Sequence, residues 1–377
     1  MKRIYPVLAL MAGSLSALPA TAVEFSVFGD VTVTKGSDEH DKLQFALGEL
    51  DLYTSHDVSD DTKAFIEIVY KDAGHEGFSV DVERLWIQRY FKEQFQLAAG
   101  RFHTPLGFWN YNYHHGVLVQ DTVSRPFFLE FEDAHEGLFP THLVGVQAKG
   151  EFFTDQGAFS YQAGIGNNPT IDTTITGLPP EHGYEISVGN TLDYNDDKVL
   201  VARLSYTNFE HRWQVGLFGL RNDVVEGGSL DAALNDSLRA RGDKLLFQQV
   251  VGADFRVSKP KFYVMGEYYQ LITVDNSPNA TYAPNPVAPH LSSAYYIQLG
   301  YKMNRRTTLV ARTAALQFEA DDSYYNFLKI EQEAHYVLGL RYEMDANNAL
   351  RFEINHTVPT EGIPHTSGVL QWFFLIF

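Results

Sequence analysis

The 377-residue chain contains no cysteine, which excludes disulfides, thiolate metal sites and thiol catalysis. After residue 22 it also lacks any run of about 18 successive apolar residues, so no transmembrane helix is predicted there. Basic residues are scarce, with 29 Lys and Arg against 47 Asp and Glu and a formal net charge of −18. An acidic chain of this kind is a poor partner for nucleic acids or for anionic lipid headgroups.

The first 22 residues predict a secretory signal peptide. Lys2 and Arg3 form a basic start, residues 7–12 are apolar, and Ala20-Thr21-Ala22 has the small residues of a cleavage site. A membrane anchor is the weaker alternative, because the apolar run is too short to cross ~30 Å of hydrocarbon. We therefore expect an exported protein whose folded part spans residues 23–377.

Aromatic residues are abundant, with 27 Phe and 21 Tyr, and they recur in alternating segments. An exported chain with aromatic-rich alternating segments of about ten residues is typical of an outer-membrane β-barrel. We predict an all-β fold, a transmembrane antiparallel β-barrel in the outer membrane, in contact with its lipid and lipopolysaccharide. A soluble exported β-protein is the alternative.

Alternation and turn residues divide the chain into sixteen strands. Short turns alternate with longer loops and both ends fall on the short-turn side, as an even-stranded barrel requires. Eighteen strands are the fallback, if segment 184–194 has a partner, and a short helix is predicted over 229–241. The sixteen predicted strands cover 24–35, 43–55, 62–71, 78–91, 95–102, 143–153, 159–168, 198–207, 213–222, 244–258, 261–274, 293–303, 307–318, 332–344, 349–358 and 366–377.

The strand over 332–344 indicates which side of the sheet meets lipid. Four apolar or aromatic residues alternate there with three polar residues and a glycine, namely Tyr336, Leu338, Leu340 and Tyr342 with His335, Gly339, Arg341 and Glu343. Such alternation gives one lipid face and one wet face. Because lipid cannot satisfy unpaired backbone groups, we expect the sheet to close on itself.

Residues 104–141 are the longest stretch without a clear strand. They carry five closely spaced aromatics, an adjacent histidine pair and several acids, so an ordered loop is expected rather than disorder. The aromatics are Phe108, Trp109, Tyr111, Tyr113 and Phe127. We predict that this third external loop folds back on the body of the barrel.

The junction Gly100-Arg101-Phe102-His103-Thr104-Pro105-Leu106-Gly107 resembles the strand-to-loop junction of the phosphate-selective porins, within the Gram-negative porin superfamily. In sixteen-stranded porins the third loop typically folds into the barrel and narrows it. The resemblance implies passive diffusion of small hydrophilic solutes, often through a homotrimer. The aromatic last strand ending at Phe377 resembles those of outer-membrane proteins, where the barrel-assembly machinery reads the terminal residue.

Charged groups at the predicted constriction are the candidate selectivity residues, because like charge is excluded where water is scarce. Four loop acids outnumber Arg125, so we expect a channel for small charged solutes with a mild preference for cations. The candidates are Arg101, His103, Arg125, Glu130, Glu132, Asp133 and Glu136.

Histidines close to acids leave two alternatives open. His114, His115 and His135 are candidate ligands for a divalent metal, and the same groups could act as a general base in a membrane-embedded hydrolase. There is no HExxH-type spacing and no nucleophile at a convincing distance in sequence. We therefore predict neither an enzyme nor a cofactor. A closed structural or adhesive barrel is the remaining alternative.

Overall fold

The computed structural model describes residues 24–36, 42–72, 78–113, 119–130, 137–172, 185–187, 198–226, 246–275, 289–328 and 330–376. Sixteen strands of this part pair antiparallel in chain order, and the last pairs with the first. They are β1 (Glu24–Gly36), β2 (Gln44–Ser59), β3 (Thr62–Asp72), β4 (Phe78–Lys92), β5 (Phe95–His103), β6 (His142–Phe153), β7 (Gly157–Asn167), β10 (Lys198–Asn208), β11 (Trp213–Glu226), β12 (Leu246–Ser258), β13 (Phe262–Asp275), β14 (His290–Lys302), β15 (Thr307–Gln317), β16 (Glu333–Glu343), β17 (Asn348–Pro359) and β18 (His365–Leu375).

Two further strands have three residues each and lie outside this ring. The strands β8 (Thr170–Asp172) and β9 (Glu185–Ser187) pair with each other, and β8 also runs parallel to the end of β11. They interrupt no pairing of the ring, since β7 pairs directly with β10. The predicted sixteen-stranded barrel is therefore confirmed, and the eighteen-stranded fallback is not adopted.

The predicted strand limits differ from the observed ones by at most three residues, except that β2 and β11 each continue four residues further. Both extensions contain polar residues, such as His56 in β2 and Asp223 in β11. On the inner face or near the rim of a barrel such residues remain compatible with a strand. The predicted helix over 229–241 lies outside the described residues.

The two faces of the wall have the predicted character. On β16, Leu338 is 64% exposed to the surroundings, whereas its neighbour Val337 is 2% exposed. The outward face is apolar, and an aromatic belt follows the end with the short turns: Phe91, Phe95, Phe152, Phe153, Phe209, Phe262, Tyr301, Tyr342 and Trp372. Such belts are typical of transmembrane barrels at the membrane–water boundary.

None of the helices in the described residues is long and apolar enough to cross a membrane. The helices are α1 (Gly107–Tyr113), a 3-10 turn at Phe127–Leu129, and α2 (Ser323–Leu328). The first two belong to the segment 104–141, where the sequence showed no strand. The third lies in the connection between β15 and β16.

The last strand explains a break in its sequence pattern. Phe373 is buried on the inner face beside Phe28, and Trp372 faces outward. Gln371 belongs to the inner face, where its Nε2 donates to Asp30 Oδ2 at 2.8 Å and its Oε1 accepts from Arg351 Nη1 at 3.0 Å. A polar residue therefore interrupts the apolar run because it serves the interior. Phe377 lies outside the described residues.

Candidate functional site: the interior of the barrel

The loop 104–141 begins and ends at a narrow stem between β5 and β6. His103 pairs with His142 in register, and the Thr104 N–H donates to the Thr141 carbonyl at 2.8 Å. The Asn110 Nδ2 donates to the carbonyl oxygens of Thr104 and Thr141, at 2.8 and 3.0 Å. This side chain holds the first turn of α1 against the stem and so sets the direction in which the loop leaves the wall.

A buried carboxylate on β13 anchors helix α1. Glu267 Oε1 accepts from the Trp109 backbone N–H at 2.6 Å and from the Tyr296 hydroxyl at 2.8 Å. The Tyr269 hydroxyl donates to Glu267 Oε2. Gly107 has φ of +76°, and a Cβ there would lie 2.2 Å from Glu267 Oε2. Only glycine allows so close an approach in that backbone conformation.

A second anchor holds the segment around Ser124 against β17. Glu353 Oε2 accepts from the Val123 and Ser124 backbone N–H groups at 2.8 and 3.2 Å. The Ser124 hydroxyl donates to the other carboxylate oxygen. Glu353 is 1% exposed, so these hydrogen bonds replace the water that the buried carboxylate has lost.

Three inward arginines on neighbouring strands bind the carbonyl oxygens of the same loop segment. Arg312 donates to the carbonyls of Ser124 and Arg125 at 2.8 and 2.9 Å. Arg341 Nη1 donates to the Gln120 carbonyl at 2.5 Å, and Arg351 Nη1 to that of Thr122 at 3.3 Å. These strands, β15–β17, lie across the closed ring from the stem at β5 and β6. The loop therefore crosses the interior of the barrel.

An apolar cluster completes the attachment of the loop. Phe128 and Phe139 pack against Tyr269, with ring centroids 5.5 and 5.4 Å apart. The Leu138 carbonyl accepts from Gln248 Nε2 at 3.0 Å and from the Tyr324 hydroxyl. Together with inward residues of β10–β15, these side chains form one buried core inside the barrel.

The structure separates the sequence-predicted site residues into two groups. At the stem, Arg101 Nε donates to the Glu83 carbonyl at 3.1 Å, and His103 lies beside His142 with ring centroids 5.3 Å apart. On the far part of the loop, Arg125 Nε lies 3.7 Å from Glu130 Oε2. The other candidates, Glu132, Asp133, Glu136, His114, His115 and His135, lie outside the described residues.

Glu130 is a partly buried acid, with 29% of its side chain exposed. Burial raises the pKa of its carboxyl, and the positive charges of Arg125 and Arg312 oppose that rise. Its contribution to a field inside the barrel is therefore partly neutralised by its own neighbours.

Four residues of the site, Glu267, Glu353, Arg312 and Arg351, were not predicted from the sequence. The available signal was charge at inward positions of strands, because a charged residue there needs a partner. Periodicity assigns such residues to the wet face, but it does not show which loop they bind.

A cavity of about 890 Å³ lies between the loop and the short-turn end. Tyr113, Val119 and Asp121 of the loop contribute to its lining. Seven cations line it against two carboxylates, Asp121 and Glu343; the cations are Arg256, Lys259, Lys261, Lys302, Arg305, Arg306 and Arg341. This end of the interior is thus basic although the chain as a whole is acidic.

One group of side chains in the described residues has the donor set of a metal site. His290 Nδ1 lies 2.8 Å from Glu319 Oε2 and 3.8 Å from Asp321 Oδ1, at the long-loop end of β14 and β15. Both carboxylates are largely exposed, and the histidine already hydrogen-bonds Glu319. These contacts are also those of an ordinary rim ion pair.

The fold is that of the outer-membrane porins, in agreement with the predicted location. An anion-selective porin from Comamonas acidovorans aligns with a TM-score of 0.62 and 11% identity, over 94% of this chain and 99% of that one. The outer membrane channel DcaP of Acinetobacter baumannii gives 0.57 and 14%, over 94% and 97%. Salmonella typhi OmpF, in complex with daunomycin, gives 0.56 and 9%, over 94% and 97%.

No protein-family model matches the chain, and no curated protein matches it by sequence.

Proposed function

We propose that the protein is an outer-membrane porin, a water-filled channel for passive diffusion of small, charged hydrophilic solutes, and not an enzyme. The observation that carries this is the path of the loop 104–141 across the interior, from its stem at β5 and β6 to its anchors on β13 and β15–β17. A loop in that position narrows the space through which a solute passes. The structural neighbours include a porin and an outer membrane channel, which supports the proposal.

The passage runs along the inner wall of β2–β6. Four inward side chains there are partly exposed, namely Tyr53, Phe65, Trp86 and Gln88, whereas β10–β15 carry most of the buried core. From there solutes reach the basic cavity at the short-turn end. Small ions respond mainly to charges within ~8 Å at ~0.15 M salt, so only groups that line this route set selectivity.

The loop acids give the channel a mild preference for cations, which the wall cations partly offset. The test is the reversal potential under a salt gradient, measured for the native protein and for the fourfold variant Glu130→Gln, Glu132→Gln, Asp133→Asn and Glu136→Gln. We expect the variant to shift toward anions. An unchanged potential would show that these acids do not line the route, and anion preference in the native protein would contradict the assignment.

Planar-bilayer recording of the folded protein tests the channel itself. We expect stable conductance steps, with altered size and more noise in Arg312→Met, because that change removes the hydrogen bonds to Thr122, Ser124 and Arg125. The matched control is Arg89→Met, whose guanidinium pairs with Asp61 at the exposed turn. Absence of conductance from protein with β-type circular dichroism would contradict the proposal.

Export and assembly complete the proposal. Residues 1–22 are removed, Phe377 is read by the barrel-assembly machinery, and the mature barrel forms a homotrimer. A structural neighbour, the outer membrane protein OmpT of Vibrio cholerae, has a trimer form, which supports the last of these statements. Intact-mass measurement of protein purified from outer membranes, with and without Phe377, tests all three statements: a retained leader, unaffected assembly without Phe377 or a monomeric mass would each overturn one of them.

A further inference from the structure

A small cavity lies between the wall of β4–β6 and helix α1 of the inner loop. Its volume is about 170 Å³. The strand register explains this space. On β5, inward Ala98 pairs with Gln88 of β4 and Gln147 of β6, and inward Gly100 pairs with Trp86 of β4 and Gly145 of β6. The small residues Ala98 and Gly100 therefore leave room beside the large side chains of Gln88, Trp86 and Gln147.

Aromatic rings form one side of this cavity. Trp86 ends a row of inward rings, stacked on Phe65 with centroids 5.2 Å apart and planes 10° apart, and Phe65 in turn lies 6.1 Å from Tyr53. Tyr111 of α1 and Phe102 of β5 also line the cavity. A cavity of roughly 150 Å³ with apolar walls holds a benzene ring, so this one accommodates a single six-membered ring.

Positive charge and an unused hydrogen-bond donor lie at the same place. Arg84 is already paired with Glu67. Lys149 Nζ lies 5.9 Å from the Trp86 ring centroid, and the acid whose charge acts on it is Glu151. Gln147 is 4% exposed, and its Nε2 has no acceptor among the described residues. A buried polar group without a partner is uncommon in native proteins and suggests a ligand atom or water at that point.

We propose that this cavity binds the ring and carboxylate of a small aromatic acid, with the ring against Trp86 and Tyr111 and the carboxylate at Lys149 and Gln147. The inference rests on the proposed function, since it names a solute class for the channel. A flat ring suits the aromatic walls, and a single negative charge is complementary to the Lys149 ammonium. The cation preference assigned to the loop acids concerns small ions at the loop, whereas this site acts through direct contacts.

The test measures binding of benzoate in two ways, by interruption of channel currents and by quenching of tryptophan fluorescence in detergent. Benzamide, which has the same ring without the charge, and glucose, which has a ring without aromaticity, serve as comparison probes. We expect benzoate to bind at least about tenfold more tightly than benzamide, as a charge-assisted hydrogen bond to a lysine predicts.

Two variants locate the site. Lys149→Gln removes the charge, and Ala98→Leu fills the cavity from β5 while it leaves the charge in place; we expect roughly tenfold or greater loss of benzoate affinity in each. The matched control is Lys63→Gln, because Lys63 is an inward lysine of β3 that is 47% exposed and pairs with Asp57. Its benzoate affinity should equal that of the native protein.

The outcomes separate this inference from the channel assignment. A conducting protein that binds benzoate and benzamide equally, or prefers glucose, overturns the aromatic-acid site and leaves the channel intact. Benzoate binding that survives in both Lys149→Gln and Ala98→Leu places the ligand elsewhere and overturns the site as well. If the protein does not conduct, the fluorescence titration still decides whether the cavity binds benzoate.

Discussion

The two sides of the barrel interior differ in how far their inward side chains are buried. On β10–β15, inward Val201, Met265 and Tyr269 form one buried core with residues of the loop, and the buried Arg203 there pairs with Asp254. On β2–β6, the inward side chains of Phe65, Trp86 and Gln88 stay partly exposed. A closed wall can thus hold one sealed sector that supports the loop and one open sector, which is the proposed route for solute.

The largest expected effect comes from breaking an ion pair in the sealed sector. Arg203 and Asp254 are 2% and 1% exposed, and two hydrogen bonds of 2.7 and 3.1 Å join them. Asp254→Ala leaves the arginine buried without a partner, which costs about 3–5 kcal/mol. Urea unfolding of the refolded barrel should show this loss.

The open sector provides the matched control. Asp57 pairs with Lys63 at 3.5 Å, with both side chains substantially exposed. Such a pair contributes roughly 0–1 kcal/mol, so Asp57→Ala should leave the unfolding midpoint almost unchanged. Equal losses of stability in the two variants would show that the sealed sector contains water, as the open sector does, and would contradict the difference between the two sectors.

A smaller effect is expected where the loop meets the sealed sector. Gly107→Ala places a methyl group against Glu267 and Tyr269 in a left-handed backbone conformation, which alone costs about 1–2 kcal/mol. We expect lower stability and noisier channel currents because α1 is displaced. The control is Gly219→Ala, where the nearest atom to a Cβ would be 3.4 Å away. A Gly107→Ala variant with native stability and no added current noise would contradict the anchoring of α1.

The sequence predicted the wall well and the interior poorly, for a physical reason. Strand limits and the two faces follow from local alternation, as in β16, because each residue contacts either lipid or the interior. The contact of Glu353 with Ser124 joins positions 229 residues apart and depends on the route of the loop. No periodicity encodes such a contact, so the anchors were missed.

The predicted role of the loop acids also depends on the route of the chain, which local sequence patterns do not show. Counting carboxylates in 104–141 indicated an acidic constriction, and the count takes no account of Arg125 and Arg312, whose charges act on the partly buried Glu130. Conversely, the basic cavity draws Arg256, Arg306 and Arg341 from three separate parts of the chain. Local charge counts therefore describe a pore only after the route of the chain is known.

The smallest predicted effect lies in the turns, which belong to neither sector. Asp345 accepts hydrogen bonds from the Asn347 backbone and from Asn348, and these hold the pKa of its carboxyl below the ordinary 3.8. Because the folded pKa is the lower one, the stabilisation is present above 3.8 and is lost as the pH falls through the folded value. Asp345→Ala should be slightly less stable than the native protein at neutral pH, and the difference should vanish in strong acid.

The most direct measurement uses the absence of cysteine in the chain. Gln88→Cys places a single thiol on the open sector, and Met265→Cys places one in the sealed core. A charged, water-soluble thiol reagent added during bilayer recording should reduce the current stepwise in Gln88→Cys and leave Met265→Cys unaffected. Reaction at Met265→Cys with none at Gln88→Cys would contradict the account, because the water-filled route would then follow the wall that the loop is described as sealing.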